Sequence, residues 1–339
     1  MTRTTLRKAP FQDFRKPAFA ALMLSATMLA GCATNRTPQF SYDADVPSSP
    51  VVPAAVTDDR PRPLHTPPAW TVARGGTSAG TPAGRVENAN AAARVEPRRA
   101  DLRFPIPVDL RQRMTGARVT GLSRRAKYGL VETDRGDMMI FHLGMSGRWR
   151  IDPTDIGAHD HLLVETDQGR LLSLNDPRRF GSLDLVRANA WTGYAPFMRM
   201  GPEPLGPDFT AATLAAALAG KATSIKAALL DQRIVAGLGN IYVCEALNMA
   251  GIAPTRAAGR IGRARLALLV DAIRDVLTAA IVAGGSTLRD YARPDGELGY
   301  FSKQWRVYGR EGQVCPCGGT VRRRVDGGRS TFYCPTCQK

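Results

Sequence analysis

Acidic residues are scarce in this chain. Asp and Glu number 30 against 46 Lys and Arg over 339 residues, which leaves a formal charge of +16 and an isoelectric point near 10.2. Such an imbalance describes partners rather than fold, and it points to phosphate backbones or anionic membranes. An arginine-rich proteome that scatters guanidinium groups over solvated faces gives the same count, so charge alone does not choose. Long apolar runs are also lacking. The stretch that comes nearest, Ala18 to Ala30, is too short for a comfortable bilayer crossing and ends in small residues. Periodicity is absent from Thr37 to about Pro82, where Pro, Ser, Thr, Ala and Gly dominate. A segment of that composition cannot bury a core and reads as a disordered linker with polyproline character.

Cysteine is sparse too, six in all, and four of them lie beyond residue 314: Cys315 with Cys317, and Cys334 with Cys337. The basic stretch between the pairs, Gly318 to Tyr333, is too short and too polar to hold itself folded, so two thiolate pairs around one Zn²⁺ supply what a core would. The spacing Cys334-x-x-Cys337 is that of a zinc knuckle; Cys315-x-Cys317 is one residue tighter, and paired disulfides or free thiols are the rival reading. Arg322, Arg323, Arg324 and Arg329 line the same stretch, and a metal-stapled, arginine-rich finger on a basic chain favours nucleic acid. Cys244 lies in an apolar run and reads as a buried thiol.

The N-terminus has the form of a secretion signal. Arg3, Arg7, Lys8, Arg15 and Lys16 precede the apolar run, and Leu29-Ala30-Gly31-Cys32 resembles a bacterial lipobox in which Cys32 carries lipid. Thr66-Pro-Pro-Ala-Trp70, Gly84 to Asn90 and Ala91 to Val95 resemble the start of conjugal-transfer channel lipoproteins of the TrbG type, over about residues 1–96. A thiolate-rich DNA-type body and an exported leader belong in different compartments. The expectation is a fused reading frame joined near Val95–Arg99, with a membrane anchor through Cys32 if the leader is genuine.

Past Arg98 the texture is that of an α+β globular body. Val119 to Glu132 reads as strand, turn, strand; Met138 to Leu143 as a strand; His161 to Thr166 and Leu171 to Leu174 as a hairpin about Asp167-Gln168-Gly169; Ser182 to Val186 as another strand. This half is expected to be a β-sandwich. From Asp208 the pattern turns helical, with helices over Thr210 to Ala219, Ile225 to Leu230, Ile241 to Ala250 and Arg263 to Ala283. The turn Ala236-Gly-Leu-Gly-Asn240 before the third of these resembles a helix-turn-helix hinge that offers backbone N–H groups to a phosphate.

Several motifs, in order, carry a sharper resemblance: Arg124-Arg-Ala-Lys-Tyr128, His142-Leu-Gly-Met-Ser-Gly147, His159-Asp-His161, Asn175-Asp-Pro-Arg-Arg-Phe-Gly181, Gly201-Pro-Glu-Pro-Leu205, Gly237-Leu-Gly-Asn-Ile-Tyr242, Val307-Tyr-Gly-Arg310 and Gly328-Arg-Ser-Thr-Phe-Tyr-Cys334. Over about residues 98–339 the chain resembles the formamidopyrimidine-DNA glycosylases, base-excision enzymes for oxidised purines. The resemblance implies a β-sandwich domain (98–195), a helix–two-turn–helix domain (196–300) and a zinc-finger hairpin (301–339), after a signal-like segment (1–32) and a linker (33–97). It implies one structural Zn²⁺ on Cys315, Cys317, Cys334 and Cys337. It also implies a monomer acting on damaged double-stranded DNA in the cytoplasm or nucleoid, a location at odds with the leader.

By the same resemblance, Met145, Arg178 and Phe180 form the wedge that fills the gap left by a flipped nucleotide. Lys127 assists proton transfer in β-elimination, and Arg329 serves δ-elimination and phosphate binding. His159, Arg178, Lys221, Lys226 and Asn240 contact DNA, and Ser286 to Phe301 is a lesion-reading loop. The Asn175–Gly181 loop and the stretch from Thr287 to Tyr300 favour the formamidopyrimidine branch over the endonuclease-VIII-like one.

One family element is missing. The family opens on Pro-Glu-Leu-Pro-Glu, whose terminal secondary amine attacks C1′ and whose glutamate does acid–base work. Counting back from Lys127 places that start near Thr71, and no such run is present there. An internal proline cannot substitute, because its nitrogen is a tertiary amide. The expectation is therefore a glycosylase body without its nucleophile, able to bind lesion DNA but impaired in chemistry.

Overall fold

The structure, a computed structural model, describes residues 84–85, 90–286 and 299–339. The signal-like segment, the lipobox cysteine, most of the proposed linker and the middle of the proposed lesion-reading loop lie outside the described residues. No helix among the described residues is long and apolar enough to cross a membrane.

Two antiparallel sheets build the first half. One has the order β1-β3-β4-β5-β9, with β1 at Gly84–Arg85, β3 at Val119–Arg125, β4 at Tyr128–Thr133, β5 at Asp137–His142 and β9 at Ser182–Arg187. The other runs β2-β7-β8-β6, with β2 at Ala92–Pro97, β6 at Arg148–Ile151, β7 at Asp160–Thr166 and β8 at Leu171–Asn175. Their inner faces meet over Val131, Phe141, Trp149, Leu162 and Leu174, closed by helix α1 (Leu110–Met114). Phe141 and Trp149 pack edge to face at 5.5 Å. The outer face of the larger sheet, Leu130, Met138 and Ile140, is covered by Phe197 with Trp191 and Tyr194.

The sandwich starts earlier than residue 98, which corrects the boundary expected from sequence. Strand β2 pairs along β7 from Ala92↔Thr166 to Pro97↔Leu162, and Val95 is 2% exposed in the core. A register shift between Ala92 and Arg94 breaks the alternation of inward and outward residues, so this edge strand has no period-2 signature. With Gly84 and Arg85 paired to Leu122 and Gly121, the stretch expected to be linker contributes to both sheets.

Gly129 on β4 lies opposite Phe141, and a Cβ there would sit 2.1 Å from the Phe141 ring. Gly129→Ala is expected to cost about 1–3 kcal/mol through overpacking, read as a lower denaturant midpoint with unchanged slope.

The second half is helical: α2 (Ala211–Leu218), α3 (Ile225–Leu230), α4 (Asn240–Met249) and α5 (Arg263–Val282). Thr210 and Thr213 form a reciprocal capping box on α2, and the Ser224 side chain accepts from Ala227 N to start α3. Helix α4 is buried almost all round, against Leu229, Leu269, Ile273 and Leu277. Beyond the bridge Ser286↔Tyr300 the chain ends in the hairpin of β10 (Arg322–Asp326) and β11 (Arg329–Tyr333). Its turn is Gly327-Gly328, both at positive φ, the backbone a two-residue hairpin turn demands. The α+β class with sandwich, helix–two-turn–helix and terminal zinc-finger hairpin is the one observed.

Candidate nucleic-acid interface and zinc site

Lys127 sits in the tight β3–β4 turn, where Ala126 is held left-handed at φ 53°. Glu203 clamps that turn. Its carboxylate accepts from Arg124 Nη1 (2.8 Å), Arg125 Nη1 (2.7 Å) and Ala126 N (2.6 Å), and Arg125 also donates to Gly201 O. Burial alone would raise the Glu203 carboxyl, but Arg124, the Ala126 N–H and Arg125 together hold it below the ordinary glutamate range. Glu203 therefore fastens the helical half to the sandwich at the turn that aims Lys127.

Lys127 Nζ donates to Leu238 O (3.1 Å), inside the Gly237-Leu-Gly239 turn. Gln232 closes that turn by accepting from Gly237 N and donating to Leu238 O. On the neighbouring strand His142 is held down to about 4, first by burial and then by the charges of Lys127 and Arg103. Its neutral Nδ1 accepts from Gly144 N.

Lys226 and Asn240 are turned toward the C-terminal hairpin. Both are buried, Lys226 at 2% exposure. Lys226 Nζ donates to Thr331 Oγ1 (2.6 Å) and Ser330 O (3.3 Å), and Asn240 Nδ2 donates to Ser330 O (2.8 Å). The two side chains converge on the carbonyl that follows Arg329 and prop the hairpin, while Arg329 itself is exposed. A buried ammonium needs such acceptors.

The wedge candidates lie on two loops tied together. Asp176, buried, accepts from Ser146 Oγ (2.6 Å) and from Gly181 N (2.8 Å), and its own N–H donates to His159 O. Gly144 is at φ 61°, and a Cβ there would lie 2.5 Å from the Phe180 backbone, so only glycine lets the loops approach. Arg179 is left-handed at φ 56°. This strained loop leaves Arg178, Arg179 and Phe180 outward; the Arg178 guanidinium lies 4.7 Å over the Phe180 ring, which is 43% exposed. Met145 is half-buried beside them and His159 is exposed. Lys221 stands apart, in a shallow depression with Thr223, Asp231 and Arg233.

The four C-terminal sulfurs lie within 4.8 Å of one another, with Cys317–Cys334 at 3.5 Å and Cys315–Cys337 at 3.9 Å. The edge of a tetrahedral Zn–thiolate site is about 3.8 Å, and a disulfide needs only about 2.05 Å. These residues fit one structural Zn²⁺. The shortened first knuckle still closes because Gly319 has no side chain: a Cβ there would stand 2.8 Å from Cys334 Sγ. Burial opposes the Cys334 thiolate, but the N–H groups of Cys337 and Thr336 and the adjacent thiols bring it down to about 6. Cys337, half-buried beside them, is pushed up to about 12, first by desolvation and then by the neighbouring thiols. A dication relieves that crowding of charge.

Three family profiles cover this architecture in order. They are described as "Formamidopyrimidine-DNA glycosylase N-terminal domain" (residues 83–183), "Formamidopyrimidine-DNA glycosylase H2TH domain" (200–292) and "Zinc finger found in FPG and IleRS" (312–339). The chain belongs to the formamidopyrimidine-DNA glycosylase family. A formamidopyrimidine-DNA glycosylase of Rhizorhabdus wittichii is 76% identical over 246 residues, 73% of this chain and 91% of the relative. One from Novosphingobium aromaticivorans is 65% identical over the same length and shares. The Lactococcus lactis Fpg solved with DNA containing an abasic site superposes with a TM-score of 0.69 at 32% identity, over 74% of this chain and 93% of that one. The Thermus thermophilus MutM (FPG) structure gives 0.65 at 38% identity, over 74% and 92%. The first profile begins at residue 83, in agreement with strands β1 and β2 as part of this domain.

Family membership leaves unexplained several side chains on which the site depends. Glu203, Asp176 and Thr331 fall inside recognisable motifs, Gln232 beside one, and nothing in the sequence discloses their partners.

Proposed function

We propose that this chain binds damaged double-stranded DNA as a formamidopyrimidine-type glycosylase/AP lyase body for oxidised purines, and that its chemistry is strongly impaired. The carrying observation is the continuous hydrogen-bonded line from the Lys127 turn through Leu238 to the glycine turn that opens α4, and from Asn240 and Lys226 to the Arg329 hairpin. In this reading Lys127 faces the sugar–phosphate at the lesion and moves a proton in β-elimination. Arg329 grips the lesion-strand phosphate. Met145, Arg178 and Phe180 fill the gap opposite the extruded base, a step that costs a few kcal/mol of lost stacking. His159 and Lys221 take flanking phosphates, and Asn240 and Lys226 act through the hairpin they support.

Impairment follows from covalent chemistry. The nucleophile of the family is a chain-terminal proline amine followed by glutamate, and no Pro-Glu run stands near Thr71, where counting back from Lys127 would place it. The pairing of β1 and β2 favours a join between unlike sequences ahead of Gly84 rather than near Val95. The conjugation-lipoprotein likeness is then confined to the stretch before it, and sequencing reads spanning codons 80–90 would test that join.

Full-length protein is expected to bind abasic duplex with an affinity that falls steeply with salt, roughly as the 0.9 power per phosphate contacted. It is expected to give no borohydride-trapped adduct and no nicking. A trapped adduct at the yield of an ordinary family member would refute the impairment. Salt-independent binding, or none, would refute the DNA-binding reading itself.

A further inference from the structure

We propose that Asn248 and Arg306 form a hydrogen-bond relay that sets the charge on two of the zinc-site thiolates. Asn248 lies near the end of α4 and is 4% exposed. Its Nδ2 is 3.7 Å from Cys315 Sγ and 3.7 Å from Cys337 Sγ, and donates at 3.2 Å to Gln338 Oε1. Its Oδ1 accepts from Arg306 Nε at 3.1 Å. The guanidinium thus fixes which end of the amide faces the metal site: oxygen toward the cation, both N–H bonds toward sulfur and Gln338. One contacted sulfur belongs to each knuckle, so a single side chain spans the two halves of the finger and ties them to the helical core. Gln338 continues the connection, accepting from Cys334 N (2.7 Å) and donating to Ile252 O (2.9 Å).

Four thiolates around one dication carry a net charge of −2, and each N–H···S bond draws part of that charge off sulfur. Charge drawn off sulfur lessens the mutual repulsion of the four thiolates, so the metal is held longer. The Arg306 charge, relayed through a polarised amide, acts in the same direction without touching sulfur. Asn248 is a positioning residue here, and the effect is electronic as well as steric. The proposal rests on the zinc reading of the cysteines, which one equivalent of bound metal in the unaltered protein establishes separately.

The test compares full-length protein with N248L and R306K. Leu fills the same space without N–H donors; Lys keeps the charge of Arg306 but not its planar Nε–H. Zinc transfer to a chromophoric chelator and the sulfur-to-metal charge-transfer band of the Co²⁺-substituted protein are the readouts. For N248L, metal retention is expected to weaken roughly 10–100-fold, the usual range for lost outer-shell partners. The band is expected to move to lower energy as the sulfurs become more electron-rich. R306K is expected to shift both in the same direction by less. An unchanged band and release rate in N248L overturns the proposal, because a purely packing role survives that substitution. If N248L fails to fold, R306K decides: a shifted band supports the relay, and a band and release rate like those of the unaltered protein overturn it.

Discussion

Glu203→Ala is expected to unsettle both the fold and the site, because one carboxylate serves three donors. Arg124 and Glu203 have side chains only 9% exposed, so removing the carboxylate leaves a buried guanidinium without that counter-charge. Breaking a buried pair from one side costs about 3–5 kcal/mol, far more than an exposed pair is worth. At about 2–4 °C per kcal/mol for a body of this size, the melting temperature should fall on the order of 10 °C. The second consequence is local. Ala126 loses the acceptor that holds its N–H, and the left-handed turn carrying Lys127 loosens, so affinity for abasic duplex should drop together with stability. Glu203→Gln keeps an acceptor but not the charge and should lie between. Replacing Arg124 and Glu203 together by apolar residues of similar volume should recover part of the stability without restoring affinity.

The pH dependence has a definite sign. The folded-state pKa of Glu203 is lowered, so the unfolded chain binds the proton more readily. The stability this carboxylate contributes is complete above the ordinary glutamate range and is withdrawn as pH falls through the depressed folded value. Acid unfolding should therefore begin at higher pH in the native protein than in the doubly apolar variant. An E203A protein that melts within a degree or two of the parent, with an unchanged acid limb, would mean the cluster is ornamental.

How much of this was legible beforehand depends on the range of the interactions. Helices α2 and α3 could be read because their caps are local: Thr210 with Thr213, Ser224 with Ala227. The β7–β8 hairpin could be read from the turn about Asp167-Gln168-Gly169. Strand β2 could not, because its register shift removes the alternating pattern and its pairing partner lies some seventy residues on. Strand β6 has four residues, too few for any period to show, although its Trp149 is buried in the core. Site residues followed the same divide. Lys127, Arg178 and the four cysteines are visible in motifs. That Lys226 and Asn240 face Ser330, 104 and 90 residues away, belongs to tertiary structure alone. So does Asn248, which no motif marks.

Stripping the metal, or Cys334→Ala, is expected to unfold the segment from residue 312 to the end while the sandwich persists. A lone two-stranded hairpin is marginal in water, and structural zinc contributes an apparent 10–16 kcal/mol or so in finger peptides near neutral pH. Neither β10 nor the knuckles bury enough apolar surface to replace that, since Arg322, Arg324 and Val325 face solvent. Amide exchange in 312–339 should rise to that of open chain, while 119–187 keeps its protection. The loss should travel inward as well. Lys226 would keep its burial but lose Thr331 Oγ1 and Ser330 O, and an ammonium without those acceptors must move toward water or destabilise α3. Lesion-DNA affinity should then fall by more than the removal of Arg329 alone explains, because Lys226 and Asn240 act through the same hairpin. Equal losses from Arg329→Ala and from metal removal would place the whole contribution of the finger in that one guanidinium. Slow exchange surviving in the metal-free finger would show that the protein fold, and not the four thiolates, organises it.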